Sequence, residues 1–88
     1  MIPEGTRTDY WNNEGAKVLV GKRVVRVRYL TDKEAENMGW HDRSIAIFFD
    51  DGTIIFPSQD DEGNGPGSMF GTLSGEDFTL PTLPVGMK

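Results

Sequence analysis

Eighty-eight residues provide for one small domain, since domains typically run to ~100–150 residues and two cores do not fit in this length. With 36% hydrophobic, 26% charged and 10% aromatic residues, the composition is that of a soluble folded chain, not of a disordered tail. Nine basic against fourteen acidic residues leave a net charge of −5, which argues against nucleic acid or an anionic membrane as partner.

The absence of cysteine removes disulfides, thiolate metal sites and a cysteine nucleophile. The longest apolar run, Ile45–Phe49, is far short of the ~20 residues of a membrane helix. No secretory leader is read at the N-terminus. The expectation is a cytoplasmic protein with no membrane association.

In chain order, residues 1–15 read as an N-terminal arm whose only bulky groups are Tyr10 and Trp11. Such rings dock an arm when they find a groove. A single β-rich core domain is expected over residues 16–73, followed by an extended C-terminal tail over 74–88.

Ala16–Leu30 is strand-like by its β-branched content. Val25, Val27 and Tyr29 alternate on one face, and Val24, Arg26, Arg28 and Leu30 lie on the other. Gly21 marks either a turn between two short strands or a bulge in one long strand. Thr31-Asp32-Lys33-Glu34 is a capping box, opening a short helix that ends near Met38-Gly39. Two turns do not stand alone in water, so Met38 and Trp40 are expected to pin this helix to the sheet.

Ser44–Phe49, Asp50-Asp51-Gly52-Thr53 and Ile54–Pro57 form the clearest element, a hairpin. Asp-Gly between β-rich runs predicts a two-residue type I′ turn. That loop would set Phe49 opposite Ile54 and Ile47 opposite Phe56. The expected core is Val18, Val20, Val25, Val27, Tyr29, Ile45, Ile47, Phe49, Ile54 and Phe56, with Trp40 and Phe48 at its margin. Residues 58–68 are polar, acidic and glycine-rich, without periodicity. Phe78, Leu80, Leu83 and Val85, between prolines, read as an extended tail packed over the sheet.

Few residues suggest chemistry. Asp60, Glu62, Asn64 and Gly65 fall at the first, third, fifth and sixth positions of a calcium-loop pattern. The twelfth position, however, is Gly71 and not the bidentate Glu. Asp50 and Asp51 sit on a hairpin tip, where nothing raises a carboxyl pKa for acid catalysis. His41 is the only histidine and has no nucleophile or second metal ligand near it in sequence. No catalytic residue, metal or cofactor is assigned, and the chain is not read as an enzyme. Five cations stand between residues 17 and 28, against seven acids and one lysine from residue 44 onward. The two halves therefore either neutralise each other or leave Arg26 and Arg28 as a two-pronged grip on an anion.

The run Val27-Arg28-Tyr29-Leu30-Thr31, then Gly39-Trp40, Asp50-Asp51-Gly52-Thr53, Pro57-Ser58 and Asp60-Asp61-Glu62-Gly63-Asn64 resembles small bacterial and bacteriophage proteins. The resemblance covers roughly residues 18–71. It implies a microbial or phage setting and a binding role, without a transferable activity.

The fold expected is mainly β (α+β), with one short helix and three to five strands in a small bent antiparallel sheet or SH3-like barrel. The function expected is a non-enzymatic protein-interaction module. Its contact residues are Asp50, Asp51, Asp60, Asp61, Glu62, Asn64, Arg26, Arg28 and Trp40, and its partner is a protein. A long loop in so small a domain favours a binding role. Two alternatives are an acidic phage or mobile-element inhibitor that mimics nucleic acid, and a calcium- or small-ligand-binding domain. An exposed sheet edge also allows a homodimer.

Overall fold

The computed structural model describes residues 4–87, with side chains described from residue 6. In chain order they form α1 (Glu4–Leu19), β1 (Val24–Tyr29), α2 (Asp32–Asn37), β2 (Asp42–Arg43), β3 (Ile45–Phe49), β4 (Ile54–Ile55), β5 (Met69–Leu73), β6 (Glu76–Leu80) and β7 (Leu83–Pro84). The fold is α+β with its strands in small antiparallel sheets, ordered β1-β3-β4, β2-β7 and β5-β6. No closed barrel forms among the described residues, so the SH3-like alternative is set aside.

The N-terminal segment is the largest departure from expectation. Residues 4–19 are a helix rather than an arm followed by a strand, and residues 1–3 of the expected arm lie outside the described residues. The stretch lacks proline, and Arg7, Glu14, Ala16, Lys17 and Leu19 favour a helix. Glu14 and Lys17 pair at 2.9 Å on consecutive turns. Gly21, in the left-handed region at φ 78°, lets the chain leave the helix end. Val18 and Val20, expected in the core, are therefore exposed. Trp11 is 64% exposed and meets Tyr10 edge-on at 5.1 Å.

β1 and β3 pair Arg26 with Phe48, Val27 with Ile47, Arg28 with Ala46 and Tyr29 with Ile45, after a bulge at Val25. The period-two alternation holds, but the core lies on the opposite face from the one expected. The buried cluster is Leu30, Ala35, Trp40 and Ala46, with Phe48 and Val85 packed against it. Val25 and Val27 stand exposed. Alternation states which residues share a face, but α2 and Trp40 select the face they cover. Arg28 is accommodated there because its guanidinium lies 4.8 Å above the Phe48 ring, with the stem on apolar surface and the head outward. Ile45 is buried as expected.

The β3–β4 hairpin is present, but with a three-residue loop. Phe49 and Thr53 flank the loop, Phe49 N–H donating to the Thr53 carbonyl at 2.9 Å, and Phe48 pairs with Ile54 and Ile47 with Ile55. Gly52, at φ 89°, supplies the left-handed residue that closes a three-residue loop. One residue more in the loop shifts the register by one and turns β4 over. Ile54 thus shares a face with Phe48 rather than with Ile47, and is exposed, as is Phe56.

The tail carries a second hairpin that the sequence reading did not identify. Ser74 and Gly75 both have positive φ, 52° and 82°, and Leu73 pairs with Glu76, which is the two-residue type I′ geometry. The division expected at residue 73/74 thus runs through a tight turn. Beyond it, β7 pairs with β2, and Tyr29 Oη donates to the Pro81 carbonyl at 2.8 Å. Of the tail expected to be extended over 74–88, residues 76–80 are thus a hairpin strand, and Val85 packs against the core cluster.

Candidate functional site

α2 is held at both ends of its first turn. Thr31 Oγ1 accepts from Glu34 N–H at 3.1 Å, and Glu34 Oε1 accepts from Thr31 N–H at 2.7 Å. Glu34 also takes a bidentate bond from Arg28, at 2.8 and 3.1 Å. The Arg28 guanidinium, with the Thr31 amide, lowers the Glu34 carboxyl to about 2, and Glu34 raises Arg28 in return. Arg28 is therefore engaged within the fold. The expected two-pronged grip with Arg26 is not presented.

Between α2 and the β3–β4 hairpin lies an open groove of about 270 Å³, floored by Leu30, Phe48, Ile54 and Phe56 and rimmed by Glu34, Asn37 and Met38. The acids of the hairpin tip and of the 58–67 loop are not part of its lining. The first of these features is the hairpin tip. Asp51 Oδ1 accepts from Thr53 N–H at 3.0 Å, and Asp51 Oδ2 meets Lys22 Nζ at 2.7 Å. Lys22 also donates to Thr53 Oγ1 at 3.0 Å. The Lys22 ammonium, followed by Thr53, holds the Asp51 carboxyl well below the usual carboxylate range. Asp50 exchanges bonds with the Arg23 backbone. Both tip carboxylates thus tie the hairpin to residues 22–23.

The second is the loop of residues 58–67. Its neck is closed by Gln59 N–H to the Gly65 carbonyl at 2.9 Å, Ser58 Oγ to the same carbonyl at 3.0 Å, and Gly67 N–H to the Pro57 carbonyl at 3.0 Å. Asp60 is an internal acceptor. Its Oδ1 takes the Glu62 and Asn64 amides at 3.0 and 3.1 Å, and its Oδ2 takes the Asn64 side chain at 2.9 Å. Those bonds, Asn64 first, lower its carboxyl. An Asx-type turn accounts for Asp60 and Asn64, which withdraws them from the expected contact set. Asp61 and Glu62 are exposed.

Trp40 links loop and groove. Its Nε1–H donates to the Gly63 carbonyl at 2.9 Å, and its ring meets Phe56 edge-on at 6.0 Å. It is buried, so it acts as a support and not as a contact residue. No group of three or more His, Asp or Glu side chains suited to a metal ion occurs among the described residues. None of these helices is long and apolar enough to cross a membrane. His41 is exposed, and its carbonyl accepts from Val85 N–H at 3.0 Å.

The groove itself was missed in the sequence, because it depends on Ile54 and Phe56 facing α2. No family model, no curated protein and no solved structure matches this chain.

Proposed function

We propose that the protein is a non-enzymatic interaction module that binds a segment of a protein partner in the groove between α2 and the β3–β4 hairpin. The observation that carries this reading is the groove's composition. It is lined by Leu30, Phe48, Ile54 and Phe56 and is open to solvent. Its volume suits one or two apolar side chains. A basic flank of the partner would meet the exposed Asp61 and Glu62, on the loop that Trp40 joins to Phe56. Asp50, Asp51 and Asp60 are engaged internally, so the apolar groove is preferred over nucleic-acid mimicry. The calcium reading also recedes, because Asp60 is taken up by amides. The likeness to bacterial and phage proteins adds a microbial setting.

The test is affinity capture from microbial lysate with wild type, Ile54→Glu and the pair Asp61→Lys/Glu62→Lys, at low and at ~0.5 M salt. A stoichiometric partner lost with Ile54→Glu but kept by wild type at high salt supports groove docking. A partner indifferent to Ile54→Glu and lost with salt alone supports charge mimicry instead.

A further inference from the structure

The chain is more extended than its length calls for. Its radius of gyration is 15.2 Å, whereas a compact chain of this length has ~12 Å. Its accessible surface is 6659 Å² for 9.8 kDa, against ~5,200 Å² for a folded monomer of that mass. The surplus on one chain, roughly 1,500 Å², is about twice the ~800 Å² that each partner gives to a standard protein–protein interface, room for two such surfaces on each copy.

Exposed apolar side chains stand on α1 and on two further features. The β5–β6 hairpin makes no extensive contact with the other sheets, and presents Phe70, 78% exposed, with Leu73 and Phe78. Among the described residues β1 pairs only with β3, so its outer edge is open, with Val25 and Val27 exposed. The charges on the two are opposite. Arg23 and Arg26 have no acidic partner for their side chains among the described residues, and neither Glu76 nor Asp77 has a basic one.

We infer that the protein self-associates, the β5–β6 hairpin of one copy lying along the β1 edge of another. An open strand edge is a template for strand addition. β1-to-β1 pairing would set arginines of like strands against one another, which is unfavourable. An acidic hairpin tip meets that edge with attraction, and Phe70, on the hairpin face away from Phe78, meets the valines. The same two surfaces recur on every copy, so the contact is between copies of one chain. It uses neither the groove nor the acidic loop.

The experiment is sedimentation velocity of the full chain over a dilution series, with folding followed by circular dichroism. Wild type is expected at a multiple of 9.8 kDa. Glu76→Arg/Asp77→Arg and Arg23→Glu/Arg26→Glu are each expected to give folded monomer. All four changes in one chain should restore the oligomer. Phe70→Ser, which leaves the charges alone, should also give monomer. A wild type that stays monomeric at ~0.1 mM, where an interface of this size holds, overturns the inference. So does an oligomer indifferent to both charge reversals, or failure of the four-fold variant to reassociate. None of these outcomes bears on capture by the groove, which Ile54→Glu tests separately.

Discussion

The indole N–H of Trp40 donates to the carbonyl oxygen of Gly63, 23 positions further along the chain, at 2.9 Å. One buried ring thereby joins the core to the acidic loop and, through Phe56, to the wall of the groove. A polar handle on a large apolar body suits this position.

Trp40→Phe should separate the two roles. The ring packing survives while the Gly63 carbonyl loses its donor, at a cost of about 1 kcal/mol. Hydrogen exchange should then accelerate over residues 60–65, with little change in α2. Trp40→Ala should cost about 3–5 kcal/mol, as loss of a large core ring does. Equal exchange rates in Trp40→Phe and wild type would show that the loop is held by its neck alone.

Glu34 gives stability a pH dependence of defined sign. Its carboxyl is at about 2 in the folded chain, against an ordinary 4.5. The folded state therefore binds its proton less readily than the unfolded state does. The contribution is complete above about 4.5 and is lost as pH falls toward 2. Glu34→Gln keeps an acceptor for the capping box and removes the charge that Arg28 holds. Denaturant midpoints measured between those pH values should fall less steeply in the variant. Asp51 and Asp60, lowered in the same direction, leave a residual slope.

Ser44 is fully buried between β2 and β3, and its hydroxyl has no hydrogen-bond partner. Removing an unsatisfied buried donor relieves its desolvation. Ser44→Ala should therefore be neutral or stabilising by about 1 kcal/mol, where most buried substitutions destabilise. Thermal denaturation checks it, and a clear drop in midpoint would mean the hydroxyl is satisfied in solution. The neighbouring Arg43 Nε, 3.4 Å from Asp32, lies within ion-pair reach but without hydrogen-bond alignment.

Gly67 has no room for a side chain. A Cβ there would stand 2.8 Å from the Ser58 carbonyl oxygen, which is backbone and cannot turn aside. Gly67→Ala should open the neck of the loop and cost about 1–3 kcal/mol, in the range of other local steric faults. At Gly71 the obstacle is the Phe78 ring across the hairpin, which can rotate away. Gly71→Ala should cost less and broaden the Phe78 ring signals instead.

Much of the local structure was legible in the residues. The capping box at Thr31–Glu34, the strand character of Val24–Tyr29 and the Asp51-Gly52 turn region all occur where read. Each depends on interactions within a few residues. The Ser74-Gly75 hairpin carried a recognisable turn dipeptide, but the glycines and prolines around it masked two short strands. α1 was misread because Val18 and Val20 have the spacing of a strand. The fourteen residues 4–17, without a proline break, were the stronger signal.

By itself the sequence determined the class: a small acidic α+β chain with strands, one capped short helix and a turn-rich acidic segment. Only the tertiary structure decided which face of β1 and β3 is inside. It also decided that Arg28 is paired with Glu34, and that Asp50, Asp51 and Asp60 are bonded within the chain. The physical reason is parity. In a strand of period two, both faces of an apolar sheet are equally consistent with the residues, and one extra residue in a loop exchanges them. That choice follows from where α2 and Trp40 come to rest, a contact between segments that no local pattern encodes.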